Sequence, residues 1–138
     1  MSVYLISRSQ GISVRWRDRE SYSSADVEWA DAIFAAGGDG NFLFTSSKVL
    51  TDDKIVIGLN TDPSWSEGYL CLCPSQTKSL TDVLHTALAG NFPVIHRWRI
   101  RVRLGEHVLP VRALNEVFVG EKNLSQYVSF VDMYCHCY

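Results

Sequence analysis

An apolar run that ends in closely spaced glycines most constrains what this chain can fold into. The residues around it read FAAGGDGNFLF, from Phe34 to Phe44. The unbroken run DAIFAAG is typical of a strand that is buried on both faces, as in a parallel sheet. The next residues, NFLFTSSKVL, place apolar side chains at helical spacing. The sequence therefore predicts a strand, a tight glycine turn and a helix in succession.

The first part of the chain continues this alternation of strands and helices. SSADVEWA, which begins at Ser23, supplies serine N-caps and predicts a short helix. KIVIGLN at 54–60 predicts a second buried strand, and SLTDVLHTALAGN at 79–91 predicts an amphipathic helix that stops at a glycine. Short connections between such elements favour an α/β fold, so we expect residues 1–92 to form a Rossmann-like parallel-sheet domain.

The pattern changes after Pro93. VIHRWRIRVRLG alternates apolar and basic residues, which predicts a half-exposed strand of an antiparallel sheet, and VLPVRALNEVFVGE and QYVSFVDMY continue in that style. Residues 93–138 thus form the start of a β-rich second domain, with too few strands to be complete. The period of two puts four arginines on one strand face, which we interpret as a solvated face or a subunit contact rather than a phosphate screen. These are Arg97, Arg99, Arg101 and Arg103.

Charge and composition argue against two classes of partner. A net charge of −2 and a pI near 6.0 give no basic field for nucleic acid. No apolar run approaches the length of a membrane span. Four cysteines form two C-x-C pairs, a spacing that is poor for zinc, so we expect free thiols and assign no metal ligand.

The first twenty residues allow two interpretations. They hold four arginines, four serines and no acid before Asp18, which resembles a mitochondrial transit peptide. Alternatively, Val3 to Ile6 form a short strand or a helix edge, and the arginines lie on a solvated face.

Chemistry is predicted at the glycine turn. Ligands of open α/β sheets bind beyond the carboxyl ends of the strands. We expect Gly37, Gly38 and Gly40 to adopt positive φ and to let the main chain approach a phosphate or ribose, with Asn41 capping the helix. Asp39 would repel a phosphate, so it implies a hydroxyl to deprotonate or a metal to hold. The alternative is a plain glycine turn with a solvated aspartate.

Three stretches in this order resemble the NAD kinases, most of all the mitochondrial type. They are GGDGNFL at 37–43, IGLNTDPSWSEGYLCL at 57–72 and LPVRALNEVFVGE at 109–121. The resemblance covers about two thirds of the chain, from Ala30 to Glu121. It implies an enzyme that transfers the γ-phosphoryl group of ATP to the 2′-hydroxyl of the adenosine ribose of NAD, with Mg²⁺ as the expected divalent cation of ATP.

The resemblance also assigns residues. Asp39 matches the aspartate that accepts the proton of the hydroxyl, and Gly40 packs beside it at the substrate. Asn115 and Glu116 match the pair that contacts NAD. Five more residues are expected to border the dinucleotide site: Gly38, Asn41, Asn60, Thr61 and Asp62. The resemblance also implies a homodimer. It implies a mitochondrial location, with the cytoplasm as the second choice.

Departures from the family leave alternatives open. Position 41 is Asn where the family usually has Thr, and the strand and helix that normally precede the glycine turn are not recognisable. The residues after Glu121 do not resemble the glycine- and serine-containing segment that the family carries downstream of its Asn-Glu pair. A truncated, catalytically incompetent fragment that acts as an interaction partner is therefore one alternative. A lipid kinase or a phosphofructokinase-type enzyme that shares the GGDG turn is the other.

Overall fold

A computed structural model describes residues 2–7, 11–65, 68–72, 82, 85–86, 88–90 and 92–117. The chain divides into two compact units, with the boundary between Ile95 and His96. The strands and helices in chain order are β1 Ser2–Ser7, β2 Ser13–Arg17, α1 Ser24–Trp29, β3 Ala32–Ala36, α2 Asp39–Ser47, β4 Ile55–Leu59, β5 Ile100–Leu104 and β6 His107–Ala113.

The first unit contains a four-stranded mixed sheet with the order β2, β1, β3, β4. Strands β3 and β4 are parallel, as predicted, but β1 runs antiparallel to both β2 and β3. The prediction of a wholly parallel sheet is therefore wrong. The physical reason is that a short connection makes β2 antiparallel to β1. Strand β3, which follows through α1, runs in the same direction as β2 on the other side of β1 and is therefore antiparallel to β1 as well.

Most local predictions in this unit are confirmed. DAIFAAG contains β3, KIVIGLN contains β4, SSADVEWA contains α1 and NFLFTSSKVL contains most of α2. The short strand predicted for the first residues is observed as β1. The predicted helix at 79–91 lies largely outside the described residues; those of its positions that are described as helical are Asp82, His85, Thr86 and Leu88.

One face of the sheet packs against the helices to form the main core. Register pairs Val3 with Ala35 and Leu5 with Ile33, so these four fully buried side chains project from the same face. They are covered by side chains of α1 and of the segments beside both helices: Tyr22, Val27, Ala30 and Val49. Full burial of each large apolar side chain stabilises the fold by about 1.5–3 kcal/mol. The opposite face holds a smaller cluster around Phe34 and Leu59.

Arginines of β2 belong to the helix-facing side of the sheet. The guanidinium carbon of Arg15 lies 3.8 Å from the centre of the Trp29 ring, and Arg17 Nε lies 3.0 Å from Asp26 Oδ1. Strand alternation therefore turns the apolar side chains of β2 outward. Val14 and Trp16 are more than half exposed.

The second unit contains the antiparallel pair of β5 and β6, joined by a turn at Gly105, whose φ is +58°. β5 begins at Ile100, later than the sequence predicts, so only Arg101 and Arg103 of the four arginines lie in this strand. A register shift between these two residues interrupts their regular pairing. The predicted strand QYVSFVDMY lies outside the described residues.

Within the part of the chain that the structure describes, no helix is both long and apolar enough to cross a bilayer.

Candidate functional site

Asp39 lies at the edge of the sheet where the parallel strands β3 and β4 both end. It is the first residue of α2, with Gly38 as the N-cap. An acidic side chain in the first turn of a helix interacts favourably with the positive end of the helix dipole. The carboxyl edge of parallel strands is where open α/β sheets bind ligands. The predicted carboxylate therefore lies at the edge of the sheet where folds of this class bind their ligands.

The glycine turn differs in detail from its prediction. Gly37 has a φ of +138°, and its N–H donates a 2.9 Å hydrogen bond to the carbonyl of Leu59. A Cβ at this position would overlap the side-chain amide of Asn41. Gly38 has an ordinary φ of −81°, and Gly40 is a helical residue outside the positive-φ region. Only one of the three glycines thus has the predicted positive φ, because the helix already begins at Asp39.

Asn41 does not cap α2, contrary to the prediction. It is the third residue of the helix, and its Nδ2 donates a 3.1 Å hydrogen bond to the carbonyl of Ala36. The bond satisfies an acceptor at the end of β3 and holds the start of the helix against the strand.

Both oxygens of Asp39 accept main-chain hydrogen bonds from a distant segment. The N–H of Tyr69 donates to Oδ2 at 2.9 Å, and the N–H of Leu70 donates to Oδ1 at 3.0 Å. Gly68 is so close that a Cβ there would lie 2.8 Å from Asp39 Cγ and would overlap Oδ1. The sequence assigned no role to these three residues, although the glycine of their motif was a signal of close approach.

Cys71 completes the surroundings of the carboxylate. It is buried and free, and the other three cysteines lie outside the described residues. Burial first of all, and then the negative charge of Asp39 and a hydrogen bond with it, raise the pKa of this thiol to about 11. The thiol is therefore protonated at neutral pH. Gly58 of β4 makes room for it, because a Cβ there would lie 2.7 Å from Sγ.

The residues after β4 share this edge of the sheet. Asn60 is buried, its N–H donates to the carbonyl of Leu72 at 2.9 Å, and its Oδ1 accepts the N–H of Asp62 at 3.0 Å. Thr61 and Asp62 are exposed. Strands β3 and β4 are parallel, so these residues lie at the same end of the sheet as Asp39.

Asn115 and Glu116 belong to the second unit. Both follow the end of β6 and both are exposed. The predicted site residues thus fall into two groups. Gly38, Asp39 and Gly40 lie in the first unit with the site residues that follow β4, and the Asn-Glu pair lies in the second unit. In the described part of the chain, no group of three or more His, Cys, Asp or Glu side chains could hold a metal ion by itself.

The curated proteins that this chain matches are named as NAD kinases. The chain is 38% identical to "NAD kinase 2, mitochondrial" of Homo sapiens, an alignment that covers 91% of this chain and 37% of that protein. Against the protein of the same name from Rattus norvegicus the identity is 38%, over 91% of this chain and 39% of the relative. "NAD kinase" of Chlorobium phaeobacteroides is 31% identical over 73% of this chain and 34% of its own length. No family model matches the chain.

These alignments confirm the resemblance seen in the three motifs, and they extend it over most of the chain. The chain spans a little over a third of the length of the curated relatives it matches. Within that span, its sequence belongs to the NAD kinase family, of the mitochondrial type.

Proposed function

We propose that this chain carries the acceptor part of a NAD kinase site, in which the γ-phosphoryl group of ATP is transferred to the 2′-hydroxyl of the adenosine ribose of NAD. The observation that carries the proposal is the position of Asp39, at the carboxyl edge of the parallel strands and held there by two main-chain N–H groups. The similarity to NAD kinases supports the same chemistry.

In this proposal Asp39 acts as the general base. The oxygen of the ribose hydroxyl attacks the γ-phosphorus, the bond from that phosphorus to the β,γ-bridging oxygen breaks, and ADP leaves. The hydroxyl proton passes to Asp39. An ionised carboxylate offers about four acceptor positions. Among the described residues, Tyr69, Leu70 and Cys71 occupy three of them, and we propose that the fourth accepts the substrate hydroxyl.

Other residues are proposed to bind the dinucleotide. Gly40 lies exposed beside the base, and Asn115 and Glu116 are proposed to contact the ribose hydroxyls of NAD. The border of the site is proposed to consist of Gly38, Asn41, Asn60, Thr61 and Asp62. Residues 1–92 would then be the α/β domain that holds the base, and residues 93–138 the beginning of a β-rich domain that holds the Asn-Glu pair.

ATP is proposed as the phosphoryl donor, with Mg²⁺ held chiefly by its phosphates, as is usual for this cation at nucleotide sites. By resemblance we also propose a homodimer and a mitochondrial location.

The test measures NADP formation and NAD binding by the 138-residue protein itself. The protein is incubated with NAD and Mg-ATP, NADP is detected with an NADP-specific dehydrogenase, and NAD binding is followed by calorimetry. Asp39→Asn removes the base, and Asp52→Asn removes an exposed carboxylate at the opposite end of β4 as the matched control. Activity that survives in the control and is lost in Asp39→Asn, with NAD binding retained, supports the proposal. A protein that neither binds NAD nor forms NADP contradicts it.

A second candidate is an interaction partner for a longer NAD kinase subunit. Among the described strands, β2 forms one edge of the sheet. Val14 and Trp16 on this strand, and Ile12 immediately before it, are apolar side chains that are more than half exposed. Open edges with exposed apolar side chains favour pairing with another chain. Co-sedimentation with a longer NAD kinase, lost in Trp16→Ser, together with no NADP formation by the chain alone, would favour this candidate.

A further inference from the structure

The segment from Gly68 to Cys71 lies against the carboxylate of Asp39. Two successive main-chain N–H groups bind one carboxylate oxygen each, at 2.9 and 3.0 Å. Hydrogen bonds to a charged acceptor are roughly twice as strong as neutral ones. Two of them to separate oxygens fix the rotation of the carboxylate about its Cβ–Cγ bond as well as its position.

Gly68 is the residue that allows this approach. Its φ lies outside the positive region, so glycine is not needed for the main-chain conformation. The space is what requires it, since a Cβ at Gly68 would overlap Asp39 Oδ1 and would lie 2.8 Å from Cγ. Those atoms belong to the short side chain that the segment itself holds, so they cannot move aside without breaking both hydrogen bonds.

The segment is in turn fixed to the sheet. The N–H of Leu72 donates to the carbonyl of Gly58 at 2.8 Å, and its carbonyl accepts the N–H of Asn60 at 2.9 Å. These bonds form a parallel bridge between Leu59 and Leu72. The buried Cys71 side chain packs on Gly58. Asp39 is thereby connected to β4 through hydrogen bonds as well as to β3 through the chain.

We infer that Gly68 to Cys71 form a positioning clamp for Asp39, in which the missing side chain of Gly68 lets the N–H groups of Tyr69 and Leu70 hold the carboxylate in one orientation. The clamp itself rests on the geometry of the described residues, while its effect on catalysis rests on the proposed function. Gly68 is a positioning residue, since it acts through Asp39.

Fixing the base in this way matters because phosphoryl transfer depends on alignment. Displacements of about 1 Å in a catalytic group cost about 10²-fold in rate. Loss of the clamp should therefore lower kcat for NADP formation and leave the KM for NAD nearly unchanged, because Gly68 to Cys71 hold the base and not the bulk of the substrate.

The first arm of the test needs no activity. Amide proton shifts and hydrogen exchange are recorded by NMR for the wild type, Gly68→Ala, Asp39→Asn and the control Asp52→Asn, an exposed carboxylate in the loop before β4. We expect the amide signals of Tyr69 and Leu70 to move upfield and to lose protection in the first two variants but not in the control. Unchanged signals in Asp39→Asn would overturn the clamp, even if Gly68→Ala did not fold.

The second arm measures kcat and KM for NAD in the same proteins. Gly68→Ala is expected to lower kcat about 10²-fold with little change in KM. An unchanged kcat in a variant whose amide signals have moved would overturn the positioning role. If the wild type forms no NADP and binds no NAD, the kinase proposal fails alone, and the spectra still decide whether the clamp exists.

Discussion

The main-chain N–H of Leu70 donates a 3.0 Å hydrogen bond to Oδ1 of Asp39, a residue thirty-one positions earlier in the chain. Asp39 begins α2, and Leu70 belongs to the segment that joins the edge of β4 two residues later. The bond therefore connects the start of α2, which follows β3, with the segment attached to the neighbouring strand β4. A change in the charge of Asp39 should be detectable in this segment.

Asp39→Asn should make Cys71 more reactive. Burial, the charge of Asp39 and its hydrogen bond together raise the pKa of the thiol to about 11. The substitution removes the charge and leaves burial in place, so the pKa should fall and the thiolate fraction at pH 9 should rise by about tenfold for each unit of the decrease. Alkylation by iodoacetamide, followed at Cys71 by site-resolved mass spectrometry, measures this.

Asp62→Asn is the control for that experiment, because it removes an exposed carboxylate from the same edge of the sheet. Its alkylation rate at Cys71 should equal that of the wild type. Equal rates in Asp39→Asn and the wild type would show that the carboxylate does not act on the thiol.

Gly37→Ala and Gly40→Ala should have opposite effects on stability. Gly37 has a φ of +138°, and a Cβ there would overlap Asn41, so alanine should lower the free energy of unfolding by about 1–3 kcal/mol. Gly40 is helical, with open space around the added Cβ. Alanine there should leave stability unchanged or raise it by about 0.5–1 kcal/mol. Urea unfolding of both variants makes the comparison, and equal losses would contradict the described turn.

Asp26→Asn should remove part of the acid dependence of stability. Burial alone would raise the pKa of Asp26, but hydrogen bonds from Ser23 and the charge of Arg17 outweigh it and lower the pKa below its ordinary value. A group with a lowered folded pKa stabilises the fold above its unfolded pKa, and this contribution is lost as the pH falls through the folded pKa. We expect Asp26→Asn to cost about 1–3 kcal/mol at pH 7.

The stability lost in Asp26→Asn should shrink as the pH falls below about 4. The wild type then becomes protonated at Asp26 and loses the stabilisation that the ionised carboxylate provides. Unfolding midpoints measured from pH 7 to pH 2 test this. Asp52→Asn, an exposed carboxylate in the loop before β4, is the matched control and should follow the wild type throughout. A loss of constant size at every pH would mean that the ionised form of Asp26 is not what stabilises α1.

Local elements and the location of Asp39 could be predicted from the sequence, but its partners could not. An apolar run followed by glycines fixes β3 and the turn through short-range preferences, and these put Asp39 at the carboxyl edge. The antiparallel position of β1 depends on pairing with distant residues. Tyr69 and Leu70 bind through main-chain N–H groups, which every residue except proline has, so their side chains gave no signal.

Gly58→Ala should show that the core under α2 and the clamp are one packed unit. A Cβ there would lie 2.7 Å from Cys71 Sγ, 2.8 Å from Phe42 Cδ2 and 3.0 Å from Cys71 Cα. Overpacking of this kind costs about 1–3 kcal/mol. Removing the thiol in Cys71→Ala relieves only the first of these contacts, so the double variant should recover part of the loss, with a coupling of at least about 0.5 kcal/mol. Urea unfolding of the two single variants and the double variant measures the cycle, and strict additivity would mean that Gly58 and Cys71 do not touch.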